Sequence, residues 1–543
     1  MAIKRRSLPL HLEIQRHRNS AVGLIRSSFR HQGKVKHSTH GRITGLSLEQ
    51  LKLLQAAFRG DVVPKGSAED FRILSSKEYG ASYALLELAK QLELDRALYS
   101  RKEAWVGDCL AMIVGRLVYA GSKLALSNQW NNTALWQLCG VEGKVDVEQH
   151  CYGPMDRLLE RQSAIQRSLA ARHLQEGHLV LYDITSSYFE GAYNQSDIVT
   201  FGYDRDGKRG HEQMVVALLC SAEGCPVGVE VFAGNTQDAS TVPGKIVQLQ
   251  RQYGLKEIIF VGDRGMITKA VAHKLEGTEG LHTISALTHR QIVELLERKL
   301  ISAELFDDKQ IVEVFDPERP KRRYCLCRNP QTAGREARTR EQLLERTGVE
   351  LDKIASSKRR STPERLGARV GRVLERLKMG KFVRWDVADG RLSWSFEQDK
   401  IAAEKLFDGC YIVSGEVPPE KMAASEVVAS YKKLGLVEEA FRSLKTVQLE
   451  IRPVYHKTDD RIRSHVFICT LAYYLQWHFK ERLEPLFAAD GIHKNRQWTV
   501  RNVIERLAAI RREKVAMGDL EFEKLTTPEP DQQKILDYLK VSL

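Results

Sequence analysis

A chain of 543 residues exceeds the size at which one hydrophobic core stops growing, so several domains are expected, and 43% hydrophobic with 28% charged residues excludes a disordered tail. The net charge of +13 is concentrated: residues 1–42 hold ten Lys or Arg against one acid, and residues 317–381 nineteen against eight. These excesses exceed the total, so the remainder is acidic; such a chain suits a polyanion partner through counterion release, with solvated helix faces as the plainer alternative.

The nine cysteines are scattered and odd in number, which argues for reduced thiols in a cytosolic protein rather than a disulfide framework. Met1–His17 is basic without an apolar run of signal type. Residues 7–45 alternate apolar and polar around Gly23 and a Gln32-Gly33 turn, which predicts a small hairpin with basic edges. From Ser47 to about Arg172 the apolar spacing is helical. At His178 the pattern changes to strand-like runs at 178–184, 213–219 and 227–232, a helix over 239–253, and a buried strand, Glu257-Ile-Ile-Phe-Val-Gly-Asp263. A helix (266–275) and a strand (283–287) follow. Three strands, helix, strand, helix, strand is the order of a ribonuclease H-like α/β core, a mixed sheet with helices on its faces. Residues 289–405 mix β-like pieces (312–315, 324–328, 382–387, 391–396) with a basic helical stretch, and read as an insertion. The core resumes with a strand at Gly409, then helices over 418–445 and 460–481. Val466–Phe479 is too short to span a bilayer and holds Gln476 and His478, so it reads as a buried helix, and no membrane association is expected. The tail after Pro485 reads as helical, broken by Pro528 and Pro530. The expected division is 1–175 (basic hairpin, then helices), 176–288 (first part of the core), 289–405 (insertion), 406–484 (second part of the core) and 485–543 (helical tail).

Asp183 and Asp263 each end an apolar strand, where open α/β sheets place their ligands. Singly, either Asp reads as a helix cap or turn residue. As a pair on strands adjacent in the inferred core, they suggest a metal site, because hard divalent cations take carboxylate oxygens. Two such ions roughly 4 Å apart activate an attacking oxygen and stabilise a leaving one in phosphodiester chemistry.

The spacing Tyr431-x2-Leu434-x3-Glu438-x6-Lys445 resembles Tyr-x2-Arg-x3-Glu-x6-Lys, the YREK signature of a large group of bacterial insertion-sequence DDE transposases. Leu434 departs from the Arg of that signature. Further stretches resemble the same group: Gly202 to Gly210, Gly234-Asn235-Thr236-Gln-Asp238, Gly262 to Met266, and Arg452-Pro453-Val-Tyr455-His456 leading to Asp460-Arg461-Ile-Arg463-Ser-His465. The likeness runs from about Leu179 to Leu475. It implies that Asp183, Asp263 and Glu438 are catalytic and hold two Mg2+ or Mn2+ ions. It also implies DNA as partner, both transposon terminal inverted repeats and target, and a homodimer in the active complex. Residues 1–175 would then bind DNA, in a bacterial cytoplasmic protein that joins the nucleoid when bound. Glu439 is adjacent and is not strictly excluded, but Tyr431, Glu438 and Lys445 are spaced to share one helix face from which Glu439 is turned by about 100°. Tyr431, Lys445, Arg264, Lys208 and Arg209 are the expected DNA contacts. His456 and His465 read as structural, and Trp385 and Trp394 as core of a small sheet. The expected reaction is water attack at the transposon end, then attack of the freed 3′ hydroxyl on target DNA. The alternatives are a metal-dependent nuclease of the same fold and a domesticated DNA-binding derivative without cleavage.

Overall fold

The computed structural model describes residues 10–17, 20–31, 34–59, 71–203, 207, 210–264, 266–275, 278–307, 310–357, 362–447, 449, 451–490, 497–517 and 520–543. It divides into two compact units, Met1–Lys77 with Arg511–Thr527, and Glu78–Ile510 with Pro528–Leu543.

In the first unit the expected hairpin is a three-stranded antiparallel meander, β1 (Leu10–His17), β2 (Ser20–His31) and β3 (Lys34–Ile43); the Gln32-Gly33 turn lies outside the described residues. Leu12, Val22 and Leu24 are buried, and α1 (Leu48–Arg59) covers them with Leu51 fully buried. Gly23 permits that approach: a Cβ there would lie 2.9 Å from Leu51 Cδ2. The helical reading of 47–172 fails at β4 (Phe71–Glu78), which joins a three-stranded sheet with Arg511–Met517 and Leu520–Leu525. Those two strands also correct the helical reading of the tail. The interaction is remote in sequence, with Arg511 Nε donating to Ser76 Oγ across 435 positions, so no local periodicity could announce it.

The second unit begins with helices α2 (Gly80–Gln91), α3 (Leu94–Leu98), α4 (Ala104–Val118), α5 (Lys123–Asn128), α6 (Leu135–Leu138), α7 (Gly153–Glu160) and α8 (Gln162–His173). Then come β5 (Leu179–Tyr188), β6 (Gln213–Ser221), β7 (Pro226–Ala233), α9 (Asp238–Gln252), β8 (Ile258–Gly262), α10 (Lys269–Leu275) and β9 (Leu281–Ala286), the order inferred for the core. The mixed α/β class is therefore as expected. All five residues of β8 and all nine of β6 are buried, as continuous apolar runs covered on both faces should be.

After α11 (His289–Glu297) come β10 (Val312–Asp316) and β11 (Arg319–Arg328), then α12 (Pro330–Ala355), α13 (Pro363–Leu377), β12 (Val383–Ala388), β13 (Arg391–Phe396), α14 (Gln398–Lys405) and β14 (Cys410–Gly415). The main sheet has eight strands in the order β10-β11-β14-β9-β8-β5-β6-β7. Strand β8 runs parallel to β5 and β9, and the other pairs are antiparallel. Thus β10 and β11, expected in the insertion, belong to the core sheet, because β11 pairs with β14 some 85 positions away (Arg323 opposite Gly415 through Arg328 opposite Cys410). What inserts is α12 to α14, with a core of its own. Leu366, Val370, Val373, Leu374 and Leu377 of α13 are buried against Leu351, Phe382 and Leu392, the helical spacing that leaves Arg365 and Arg372 exposed. Trp394 pairs across the ribbon with Trp385 and packs edge-on to Phe396 at 5.0 Å. Trp394 is half-buried against that core, whereas Trp385 is 38% exposed.

The chain continues through α15 (Ala424–Lys432), α16 (Leu434–Arg442), α17 (Asp459–Arg482), α18 (Glu484–Ala489), α19 (Val500–Ala508) and α20 (Pro530–Leu539). Helix α17 is buried on nearly every side from Ser464 to Gln476, as the apolar run predicts. Among the described residues no helix is long and apolar enough to cross a membrane. Pro530 opens α20 at its first turn instead of breaking a helix, the position where a missing N–H costs nothing.

Candidate active site

Strands β5 and β8 are parallel and in register, with Leu181 opposite Val261 and Tyr182 opposite Gly262. The next residue on each is an acid, so Asp183 and Asp263 stand side by side where β8 ends. The turn after β8 is held at Asp263, whose carbonyl accepts from Ser285 Oγ at 3.0 Å and from the Met266 N–H at 3.1 Å. Asp183 is half-buried while Asp263 is exposed. The Asp183 carboxylate accepts the Ile184 N–H at 2.8 Å. Burial pushes its pKa up to about 7, and the negative charges of Asp263, Glu438 and Asp238 add to the rise. Burial is the larger cause, and the neighbouring carboxylates act in the same direction.

Helix α16 carries Glu438, the acid expected as the third, and Glu439 beside it. Leu434, Val437, Ala440 and Phe441 are buried, which leaves Glu438 and Glu439 exposed. The two acids then part company. Glu439 accepts from Lys480 Nζ of α17 at 2.6 Å, whereas the charge of Glu438 is felt at Asp183. Helical spacing favoured Glu438 over Glu439, and the two side chains do have different surroundings.

The other expected residues are placed unevenly. Tyr431, expected at DNA, donates its hydroxyl to Asp263 Oδ1 at 3.3 Å; burial and the Asp263 charge raise its phenol pKa, with Arg264 opposing. Arg264 is exposed beside Asp263. The single helical stripe through Tyr431, Glu438 and Lys445 is not formed. Lys433 separates α15 from α16, and Ser443–Val447, which carries half-buried Lys445, is a π-helical turn; its wider winding breaks the seven-residue repeat. Lys208 and Arg209 lie outside the described residues. His456 and His465 are half-buried and buried respectively, and His465 Nε2 meets the Ile451 carbonyl at 2.9 Å.

Asp238 was missed. It is the first residue of α9, where an acid ordinarily complements the helix dipole, and only the fold brings its charge to Asp183. The one signal for it was its place in the Gly234–Asp238 stretch.

This donor set is oxygen only, as Mg2+ or Mn2+ prefers. Among the described residues, one group of three His, Cys, Asp or Glu side chains has its ligand atoms all within 4.8 Å of one another, and it lies elsewhere.

Residues 179–475 match a family described as the transposase DDE domain. No curated protein matches the chain. Among solved structures, the chain is similar to a piggyBac transposase synaptic complex with hairpin DNA, at 8% identity and TM-score 0.37 over 79% of this chain and 76% of that one. It is also similar to a Mos1 transposase paired-end complex with the left transposon end, at 16% identity and TM-score 0.13 over 43% and 66%.

Proposed function

The chain belongs to the transposase DDE domain family and is a DNA transposase, and from that premise we propose that Asp183, Asp263 and Glu438 form its catalytic triad and together hold two Mg2+ or Mn2+ ions. The observation that carries the proposal is the parallel register of β5 and β8, which sets two acids side by side, joined by a third whose charge reaches the first. When bound, the ions activate the attacking oxygen and offset charge on the leaving one. The chain's own residues supply orientation. Tyr431 holds the carboxylate of Asp263 through its hydroxyl, α16 is anchored by its buried apolar face and presents Glu438 from its exposed side, and Lys480 pairs with Glu439. With these acids, water attack at a transposon end frees a 3′ hydroxyl, and the same site then serves its attack on target DNA.

The proposed DNA contacts are Arg264 and Lys445 near the scissile phosphate, with Lys208 and Arg209 on the backbone. The basic stretches 1–42 and 317–381 bind the terminal repeats and the flanking or partner DNA. Because two ends must meet, the active complex is a homodimer. The spacing of Tyr431, Glu438 and Lys445 favours the bacterial YREK group, with Leu434 as its departure.

A pre-cut transposon end incubated with the protein, magnesium and a supercoiled plasmid should yield joined product; hydrolysis alone would favour the nuclease alternative. In the same assay Glu438→Gln should fall to background. Glu439→Gln should stay near wild-type rate, losing only an exposed ion pair worth about 0.2–1 kcal/mol. The reverse pattern would move the third ligand to Glu439.

A further inference from the structure

Three further residues, far apart in sequence, converge beyond the Val180–Ser221 end of the β5–β6 pair, in which Asp183 lies opposite Leu218. His173 is the last residue of α8, Cys225 sits in the turn between β6 and β7, and His478 lies on α17. One ligand atom from each, two imidazole nitrogens and a sulfur, lies within 4.8 Å of the other two, and Cys225 Sγ is 4.0 Å from His478 Nε2. Cys225 is fully buried and both histidines are half-buried. Tyr474, one turn before His478, has its hydroxyl 3.0 Å from His173 Nε2.

We propose that His173, Cys225 and His478 form a second metal site, separate from the catalytic acids, that takes a zinc-class divalent ion. One thiolate and two imidazoles make a borderline-soft donor set that selects zinc over the hard cations used by carboxylates. Ligands at zinc bond lengths of about 2.0–2.3 Å stand roughly 3.5 Å from one another around a tetrahedral centre, so these side chains need only a small inward shift. Burial lowers the pKa of both imidazoles, that of His478 to about 3, which leaves them neutral with a lone pair to donate. Burial holds the Cys225 thiol well above its ordinary value, so metal binding replaces the thiol proton and releases it to solvent. Tyr474 serves as the outer partner that fixes the His173 ring, the usual companion of a metal-bound imidazole.

The consequence is a clip. The ion would tie α8, the β6–β7 turn and α17 together. Helix α17 also carries Lys480, two residues past His478, which holds Glu439 of the helix that presents Glu438. The site is thus structural, fixing a helix that borders the catalytic one. The competing account is a packed ring cluster, in which His478 simply meets Tyr474 at 4.6 Å and His173 at 5.3 Å.

Cobalt(II) separates the two accounts. The untagged full chain, stripped with chelator and given one equivalent of Co2+, should show a thiolate-to-cobalt charge-transfer band and the intense visible bands of tetrahedral cobalt, both bleached by zinc. The charge-transfer band should vanish in Cys225→Ser and persist in Cys469→Ser and Asp183→Asn. Tyr474→Phe should bind roughly 10- to 100-fold more weakly. Should Cys225→Ser fail to fold, the wild-type spectrum and Tyr474→Phe still decide. A wild-type spectrum of octahedral cobalt without charge transfer, or a band that survives in folded Cys225→Ser, overturns the proposal.

Discussion

Asp183→Asn should abolish cleavage and strand transfer, keep transposon-end binding, and at the same time stabilise the chain above neutral pH in the presence of chelator. The sign follows from the raised carboxyl. Its pKa is about 7 in the fold against an ordinary 3.8, so the folded chain holds this proton more tightly than the unfolded chain does. That stability is fully present below about pH 4 and is lost as pH rises through 7. Above that range the fold carries a half-buried carboxylate facing three other acids, at a cost on the order of 1–4 kcal/mol. Asparagine keeps the shape and removes the charge. Denaturant unfolding should therefore show the variant ahead of wild type at pH 8 and level with it near pH 4. Magnesium at pH 8 should narrow the gap by stabilising wild type alone. Equal stability at both pH values would mean that neither burial nor the neighbouring acids raise the Asp183 carboxyl.

The second large effect is expected far from the chemistry, at the root of the insertion. Arg340 of α12 and Asp408, two residues before β14, are both buried, at 7% and 9% exposure, and form a bidentate pair with an Nη1–Oδ1 distance of 2.6 Å. This pair pins the return of the inserted helices to the main sheet. Beside it Gly409, at φ +71°, donates its N–H to Glu336 at 2.8 Å, and a Cβ there would lie 2.4 Å from the Asn329 carbonyl oxygen. Asp408→Ala leaves a guanidinium buried without its anion and should cost about 3–5 kcal/mol in denaturant unfolding. Replacing both partners by apolar residues, Arg340→Met with Asp408→Leu, should recover most of that loss, because no uncompensated charge remains. A single variant as stable as wild type would show that the pair is not what holds this junction.

Much of the catalytic core was legible in the sequence for a simple reason. Strands buried on both faces, such as Ile258–Gly262, are unbroken apolar runs, and an acid at the end of such a run stands out. Elements whose partners lie far away were not legible. Strand β4 and the strands of 511–525 are rich in charge and became a sheet only by meeting each other. Strands β10 and β11 looked like insertion because β14 follows so much later. In the site, the acids after the apolar runs of β5 and β8 could be picked out from the sequence, although β5 continues past Asp183 to Tyr188 rather than ending there; helical spacing favoured Glu438 over Glu439 but could not show the pairing of Glu439 with Lys480, and Asp238 was hidden by its ordinary role at a helix start. The continuous stripe failed because helical spacing assumes one winding, and a π-helical turn departs from it. Nothing in the spacing of His173, Cys225 and His478 suggests a shared site, since 253 positions separate the last two.

The most direct test of the triad is a crystal structure of the full chain grown with manganese, read by anomalous scattering. The account predicts anomalous peaks in contact with the carboxylates of Asp183, Asp263 and Glu438, Asp183 contributing to the shared centre and Lys480 still on Glu439. Manganese absent from these acids, or bound through Glu439 with Glu438 turned away, would contradict it.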